Sequence, residues 1–116
     1  MPIHLYGILN CDTVRKARKW LEARELEYAF HDFKQEGVSQ ENLEEWIGAA
    51  GLEVVLNRRG TTFRKLSDAE KAAADDRHTA VALLVQHPSM IKRPVAVHSG
   101  GMLVGFKEEE WSAAFS

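Results

Sequence analysis

A single α/β domain with a four-stranded mixed sheet, in the order βαβ, helical insertion, ββα, is the fold class predicted by this sequence of 116 residues. Three observations predict it. A nearly continuous apolar run, Ile3-His4-Leu5-Tyr6-Gly7-Ile8, is followed by an amphipathic helical pattern and then by an alternating aromatic stretch from Glu27 to Phe33, which together make a βαβ unit. The stretch of about 37–92 carries helix-cap signals and helical spacing, so it reads as an insertion. Pro94-Val95-Ala96-Val97-His98 and Met102-Leu103-Val104-Gly105-Phe106 are short strands joined by Ser99-Gly100-Gly101, an antiparallel hairpin. A chain of this length buries a core without a disulfide or metal staple, and no repeat, low-complexity segment or linker divides it. The domain is therefore expected to run 1–116.

Each element has its own local reason. Ile3 to Ile8 is apolar almost throughout, as buried central strands are. Val14, Ala17 and Leu21 recur at helical spacing with Arg15, Arg18 and Glu22 opposite them, a helix of about three turns. The crossover between the two parallel strands is expected to be right-handed. In the insertion, Ser39 is placed to cap a helix whose apolar face is Leu43, Trp46, Ile47 and Ala50, and Gly51 is placed to stop it. Ser67-Asp68-Ala69-Glu70 has capping-box spacing and predicts another helix. Thr79 is read as the cap of a third, Ala80 to Val85, which Pro88 ends. Glu108, Glu109 and Glu110 suit the positive end of a last helix whose Trp111, Ala114 and Phe115 face inward.

The formal net charge of −2 argues against nucleic-acid binding, which needs a basic surplus. Charge is unevenly placed. Five glutamates and no Lys or Arg lie between Glu36 and Glu53, while Arg58, Arg59, Arg64 and Lys65 cluster just after them and suit a small anionic substrate. No apolar run is long enough for a membrane span or forms a signal-peptide core, and a lone cysteine fits a reducing compartment, so a cytoplasmic location is expected. His4, His31, His78, His87 and His98 show no metal-ligand spacing, so neither a metal nor a bound cofactor is expected. His4 and His31 fall inside strands as packed or hydrogen-bonded residues. Trp20, Trp46 and Trp111 read as core or interface aromatics.

Cys11 is the only cysteine, and it lies where the first strand gives way to the first helix. Open α/β sheets bind ligands at that end of their strands. The turn should aim free N–H groups of the helix at the sulfur, and the helix dipole favours an anion there. Both lower a thiol from its reference pKa of about 8.5. Arg15, Lys16, Arg18 and Lys19 make the local field basic, and they are expected to outweigh Asp12 beside the sulfur. Asn10, Asp12 and Thr13 form a polar turn that keeps the thiol accessible, in contrast to a cysteine that merely fills a core. With no second thiol in the chain, any disulfide on Cys11 must be resolved by an outside thiol.

The order of elements, the cysteine after the first strand and the proline opening the third resemble the thioredoxin-like fold. The resemblance is closer to the arsenate reductase (ArsC) family, which includes the Spx regulators and the YffB-like proteins. It is carried by Tyr6-Gly7-Ile8, Asn10-Cys11-Asp12-Thr13 with Lys16-Ala17, Tyr28 to Lys34, Leu56-Asn57-Arg58-Arg59-Gly60-Thr61-Thr62-Phe63-Arg64, Pro88-Ser89-Met90-Ile91-Lys92-Arg93-Pro94 and Val104-Gly105-Phe106-Lys107. These segments span almost the whole chain, and Asn57 to Thr62 looks most like the YffB-like subgroup.

The resemblance implies that Cys11 is a thiolate nucleophile and that Arg93, before a cis Pro94, binds the anionic part of a substrate or adduct. A guanidinium suits that task because its planar fork holds two oxygens. Asn10, Asp12 and Thr13 around the sulfur, with Pro94 and the cations Arg58, Arg59 and Arg64, are the expected substrate- or glutathione-binding residues. One departure bears on the substrate. Typical arsenate reductases of the family carry an arginine just after the last strand, whereas Gly105-Phe106-Lys107 stands here. The expected activity is accordingly a glutathione-dependent thiol reductase in which Cys11 forms a mixed disulfide, with glutathione as cosubstrate and glutaredoxin as a candidate partner. Two alternatives stand beside it: an arsenate reductase using glutathione and glutaredoxin, and an Spx-like module that contacts RNA polymerase. Many Spx proteins use a Cys-x-x-Cys switch; the later position here is Val14.

Overall fold

A computed structural model describes residues 3–115 and divides them into two compact units, one made of the chain up to Glu36 together with Arg93 onward, the other of Gly37–Lys92. Met1, Pro2 and Ser116, which the expected domain includes, lie outside the described residues.

The first unit contains β1 (Ile3–Gly7), α1 (Asp12–Ala23), β2 (Tyr28–Asp32), a single helical turn α2 (Phe33–Glu36), then, beyond the second unit's segment, a hairpin and a closing helix. The hairpin strands are Val95–His98 and Gly101–Val104, and the helix is Glu108–Ala114. The hairpin strands are β3 and β4. The four strands form one sheet in the order β2-β1-β3-β4, with β1 parallel to β2 and the other pairs antiparallel. This is the mixed-sheet, thioredoxin-like arrangement expected from the sequence.

Strand alternation decides which face is core. Ile3 and Leu5 of β1 and Ala96 of β3 meet Ala17, Trp20 and Leu21 of α1 and Trp111 of the closing helix. Trp111 is wholly buried, its indole edge-on to Trp20 and Phe106, and its Nε1 donates to the Gly105 carbonyl at 3.1 Å. The opposite face carries His4, Tyr6 and His31. His4 Nδ1 and His31 Nε2 are 3.0 Å apart, and Tyr6 stacks on His31 with centroids 4.6 Å apart. His31 Nδ1 also meets Glu36 at 3.3 Å, so these histidines satisfy one another.

The strands differ from the expected bounds by one or two residues at several ends, β1 stopping at Gly7, β2 beginning at Tyr28, β3 at Val95 and β4 at Gly101; two of the differences have a clear local cause. β2 stops at Asp32 because its carboxylate accepts the Lys34 N–H at 2.8 Å, which starts a helical turn at Phe33. β4 stops at Val104 because Gly105 takes a φ of 81°, which turns the chain toward the closing helix while its N–H donates to the Pro94 carbonyl at 2.8 Å. In that helix Trp111 is buried, as expected, but Ala114 is exposed.

The second unit contains α3 (Gln40–Ala50), α4 (Leu52–Val55), α5 (Thr61–Arg64), α6 (Asp68–Ala73), α7 (Arg77–Gln86) and a 3-10 turn at Pro88–Met90. The closing helix of the first unit is therefore α8. Ser39 caps α3, accepting the Asn42 N–H at 3.0 Å, and Gly51 ends it with a φ of 97°. Ser67 and Glu70 form the expected capping box on α6. The cap of α7 is a correction. Asp76, not Thr79, holds the N-cap position and accepts the His78 N–H at 2.8 Å. Thr79 lies inside the first turn, and its hydroxyl donates to the carbonyls of Ala73 and Asp76. Both residues are acceptable caps by type, and the three-residue offset is decided by where the preceding turn leaves the chain.

Candidate active site

The register of the sheet builds the site. Tyr6 of β1 lies opposite Val95 of β3, so the carboxyl end of β1 and the residues before β3 share one edge. The loop after β1 carries Cys11, and Arg93 precedes Pro94 across a cis peptide bond at the start of β3. Cys11 itself is the N-cap of α1, with extended backbone at φ −108° and ψ 124°. Its N–H closes a turn onto the Ile8 carbonyl at 3.2 Å, and its carbonyl accepts the Arg15 N–H at 3.0 Å. The thiol is partly exposed.

An N-cap side chain faces the N–H groups of the second and third helical residues, here Thr13 and Val14. As a neutral thiol, Cys11 makes no cap hydrogen bond of the Ser or Asp type. Its anion is the better acceptor, and the balance of forces on it is resolved. Burial raises the Cys11 pKa, but the Val14 N–H, the hydrogen bond and charge of Arg93, and the Thr13 N–H together bring it below the ordinary thiol value.

This changes the expected source of the basic field. Two of the α1 cations are turned to other work: Arg15 pairs with Asp12 at 3.2 Å and reaches the Leu9 carbonyl, while Arg18 bonds the Tyr28 hydroxyl at 3.0 Å and lies over Phe30. The cation that acts on the sulfur comes from the segment leading into the adjacent strand β3, as Arg93. The Arg15 pair also engages the Asp12 carboxylate that was expected to oppose the thiolate. Asn10 and Leu9 are exposed beside the cysteine.

The remaining expected residues lie in the second unit. Arg58 donates to the Ala74 carbonyl and pairs with Asp75, both at 3.2 Å, and lies over the Phe63 ring, so it fastens the turn before α5 to the end of α6. Asn57 caps that turn by accepting the Arg59 N–H at 3.1 Å. Arg59 is exposed and, with Glu53, Leu56, Asn57, Arg58 and Lys92, lines an open depression of about 550 Å³. Arg64 is exposed at the end of α5. Lys92 was not singled out from sequence, because it reads there only as the neighbour of Arg93; the Leu56 to Ile91 bridge brings it to the Arg58 turn. The helix amides at Thr13 and Val14 follow once Cys11 is known to be the cap. Among the described residues no group of three or more His, Cys, Asp or Glu is placed to hold a metal ion, and no helix is long and apolar enough to cross a membrane.

Residues 6–114 match the ArsC family, and the chain belongs to that family. It is 40% identical over 114 residues to an uncharacterised protein of Haemophilus influenzae, a match covering 98% of this chain and 99% of the other. It is 29% identical over 110 residues to the global transcriptional regulator Spx of Streptococcus pyogenes, covering 92% of this chain and 80% of Spx. Among solved structures, the YFFB protein superposes with a TM-score of 0.94 at 49% identity, covering 98% of this chain and 99% of that one. An arsenate reductase-related protein from Brucella melitensis gives a TM-score of 0.75 at 44% identity, covering 100% and 96%.

Proposed function

We propose that this ArsC-family chain is a glutathione-dependent thiol reductase that works through one cysteine. The observation that carries the reading is the position of Cys11 as N-cap of α1, with the Val14 N–H and the Arg93 guanidinium favouring its thiolate. In the first step the Cys11 thiolate attacks the glutathione sulfur of a mixed disulfide. A bond forms between Cys11 and glutathione, the original S–S bond breaks, and the released thiolate takes a proton from water. In the second step free glutathione, as its thiolate, attacks the adduct, releasing Cys11 and leaving oxidised glutathione. Overall the mixed disulfide of the substrate is reduced to the substrate thiol, and its glutathionyl group leaves joined to one free glutathione as oxidised glutathione. Glutaredoxin is a candidate to take over the second step. Arg93 would stabilise negative charge spread over the sulfurs during attack, and Asn10, Asp12 and Thr13 would line the approach. Arg58, Arg59 and Arg64 are, on the family resemblance, the cations proposed to bind glutathione carboxylates. The reducing cytoplasm suits a protein that uses an unpaired thiol.

Mass spectrometry after exposure to oxidised glutathione tests this. Wild type should gain one glutathione, reversed by added thiol, and Cys11→Ser should gain none. A wild type that gains no adduct removes the assignment.

The similarity to Spx favours one second reading, a protein-binding regulator that contacts RNA polymerase. A pull-down with polymerase separates it from the first: retention that survives Cys11→Ser supports a regulator.

A further inference from the structure

We propose that Gly7 is a positioning residue for Cys11: its missing side chain lets the first turn of α1 seat against the end of β1, which sets the Val14 N–H at the sulfur. The inference rests on the thiol chemistry proposed above and names a residue that chemistry does not itself require.

The contact is specific. A β-carbon on Gly7 would lie 2.7 Å from Val14 Cγ2, 3.3 Å from Cγ1 and 3.6 Å from Cβ. Carbon atoms settle at about 3.5–4.0 Å, so the first distance demands movement. Movement by the side chain alone is restricted, because valine is branched at Cβ and held to few χ1 rotamers, and Val14 is wholly buried. Gly7 is fixed as well, being paired with Asp32 at the end of the parallel ladder. The displacement therefore passes to the backbone of Val14, the third residue of the helix that Cys11 caps, whose N–H favours the Cys11 anion. The sequence places these residues at the last position of the strand, the helix cap and the third helical residue.

The residue acts through another group, so its test reads the thiol and uses a rescue. Titrate the thiolate by its ultraviolet absorbance, and follow adduct formation with oxidised glutathione, in wild type, Gly7→Ala, Val14→Ala and Gly7→Ala/Val14→Ala. Gly7→Ala should raise the Cys11 midpoint by about half a unit or more and slow adduct formation about threefold at neutral pH, since each unit is tenfold in thiolate. Val14→Ala is the reference for the double variant. Removing both methyl groups leaves only the 3.6 Å contact, so Gly7→Ala/Val14→Ala should have the midpoint of Val14→Ala. Should Gly7→Ala alone not fold, the rescue is read on folding: a double variant that folds with the Val14→Ala midpoint supports the contact. A wild-type midpoint in Gly7→Ala, or a double variant that stays unfolded or lies above Val14→Ala by as much as Gly7→Ala lies above wild type, overturns it. Failure of wild type to form the adduct would strike the proposed function instead, and the midpoints would still decide the role of Gly7.

Discussion

Arg93 favours the thiolate of Cys11 through its hydrogen-bonding guanidinium and its charge, from the segment that leads through Pro94 into β3, the strand antiparallel to the one that delivers the cysteine. The pairing joins two segments far apart in the chain, and it makes the thiolate site a product of the sheet register. One helix cap supplies the amides and the neighbouring strand supplies the charge. Neither segment makes the site alone.

Replacing Arg93 by alanine should slow both formation and release of the glutathione adduct by about tenfold or more while the fold is kept, because the guanidinium acts on charge at the reacting sulfurs. Arg93→Lys should recover part of the loss, keeping the charge without the fork. Single-turnover rates measured by mass spectrometry check this. Wild-type rates in a folded Arg93→Ala protein would remove Arg93 from the chemistry.

The lowered Cys11 pKa also predicts a pH dependence of stability. An acid whose folded pKa is depressed adds stability that is fully present above its unfolded pKa, about 8.5 for a thiol, and is lost as pH falls through the folded pKa. Urea unfolding of wild type and Cys11→Ser across that interval should show a difference that grows in favour of wild type as pH rises, then levels. A flat difference, or one that shrinks, would mean that the folded protein does not favour the anion.

Arsenate turnover should be weak or absent even with glutathione and glutaredoxin supplied. Phe106 stands in the segment where typical family members place an arginine, and its ring lies 5.0 Å from that of Trp111 as part of the apolar cluster over α1 and α8. It fills the core and offers an oxyanion nothing. Phe106→Ala should therefore cost stability, by about 2 kcal/mol for a partly buried ring, without changing arsenate activity. Strong arsenate reduction abolished by Cys11→Ser would contradict this.

Arg58 and Arg59 are neighbours with different work. Arg58 is held by Ala74, Asp75 and the Phe63 ring, so Arg58→Ala should lower stability by about 0.5–1 kcal/mol, the range for a half-exposed pair with a backbone hydrogen bond. Arg59→Ala should change stability by less than about 0.5 kcal/mol, as exposed substitutions do, and should weaken glutathione saturation if the depression it lines receives a carboxylate. Thermal unfolding and steady-state kinetics separate the two. Equal effects on stability would erase the distinction.

The sequence makes the strands, α1, α3, α6 and the hairpin legible because their signals are local: the apolar run from Ile3 to Ile8, alternation from Glu27 to Phe33, spacing in Val14, Ala17 and Leu21, and caps at Ser39 and Ser67. The single turns α2, α4 and α5 are too short to show a period. Thr79 and Asp76 are both good caps by residue type, so the choice between them waited on the geometry. Cys11 stands out by its place between strand and helix. The partner cation does not stand out by sequence distance, since Arg15, Lys16, Arg18 and Lys19 lie nearer; the family resemblance points to Arg93, and the register of β1 with β3 shows why its segment comes beside the cysteine. The division of labour between Arg58 and Arg59 is equally invisible in a run of two arginines, because it is fixed by a carbonyl and a carboxylate at the end of α6.

The pKa of Cys11 is the most direct test of the account. The rate of alkylation by iodoacetamide, followed against pH in wild type and Arg93→Ala, should give a wild-type midpoint below the reference of about 8.5 and a higher one in the variant. A wild-type midpoint at or above that reference would contradict the stabilised thiolate on which the proposed chemistry stands.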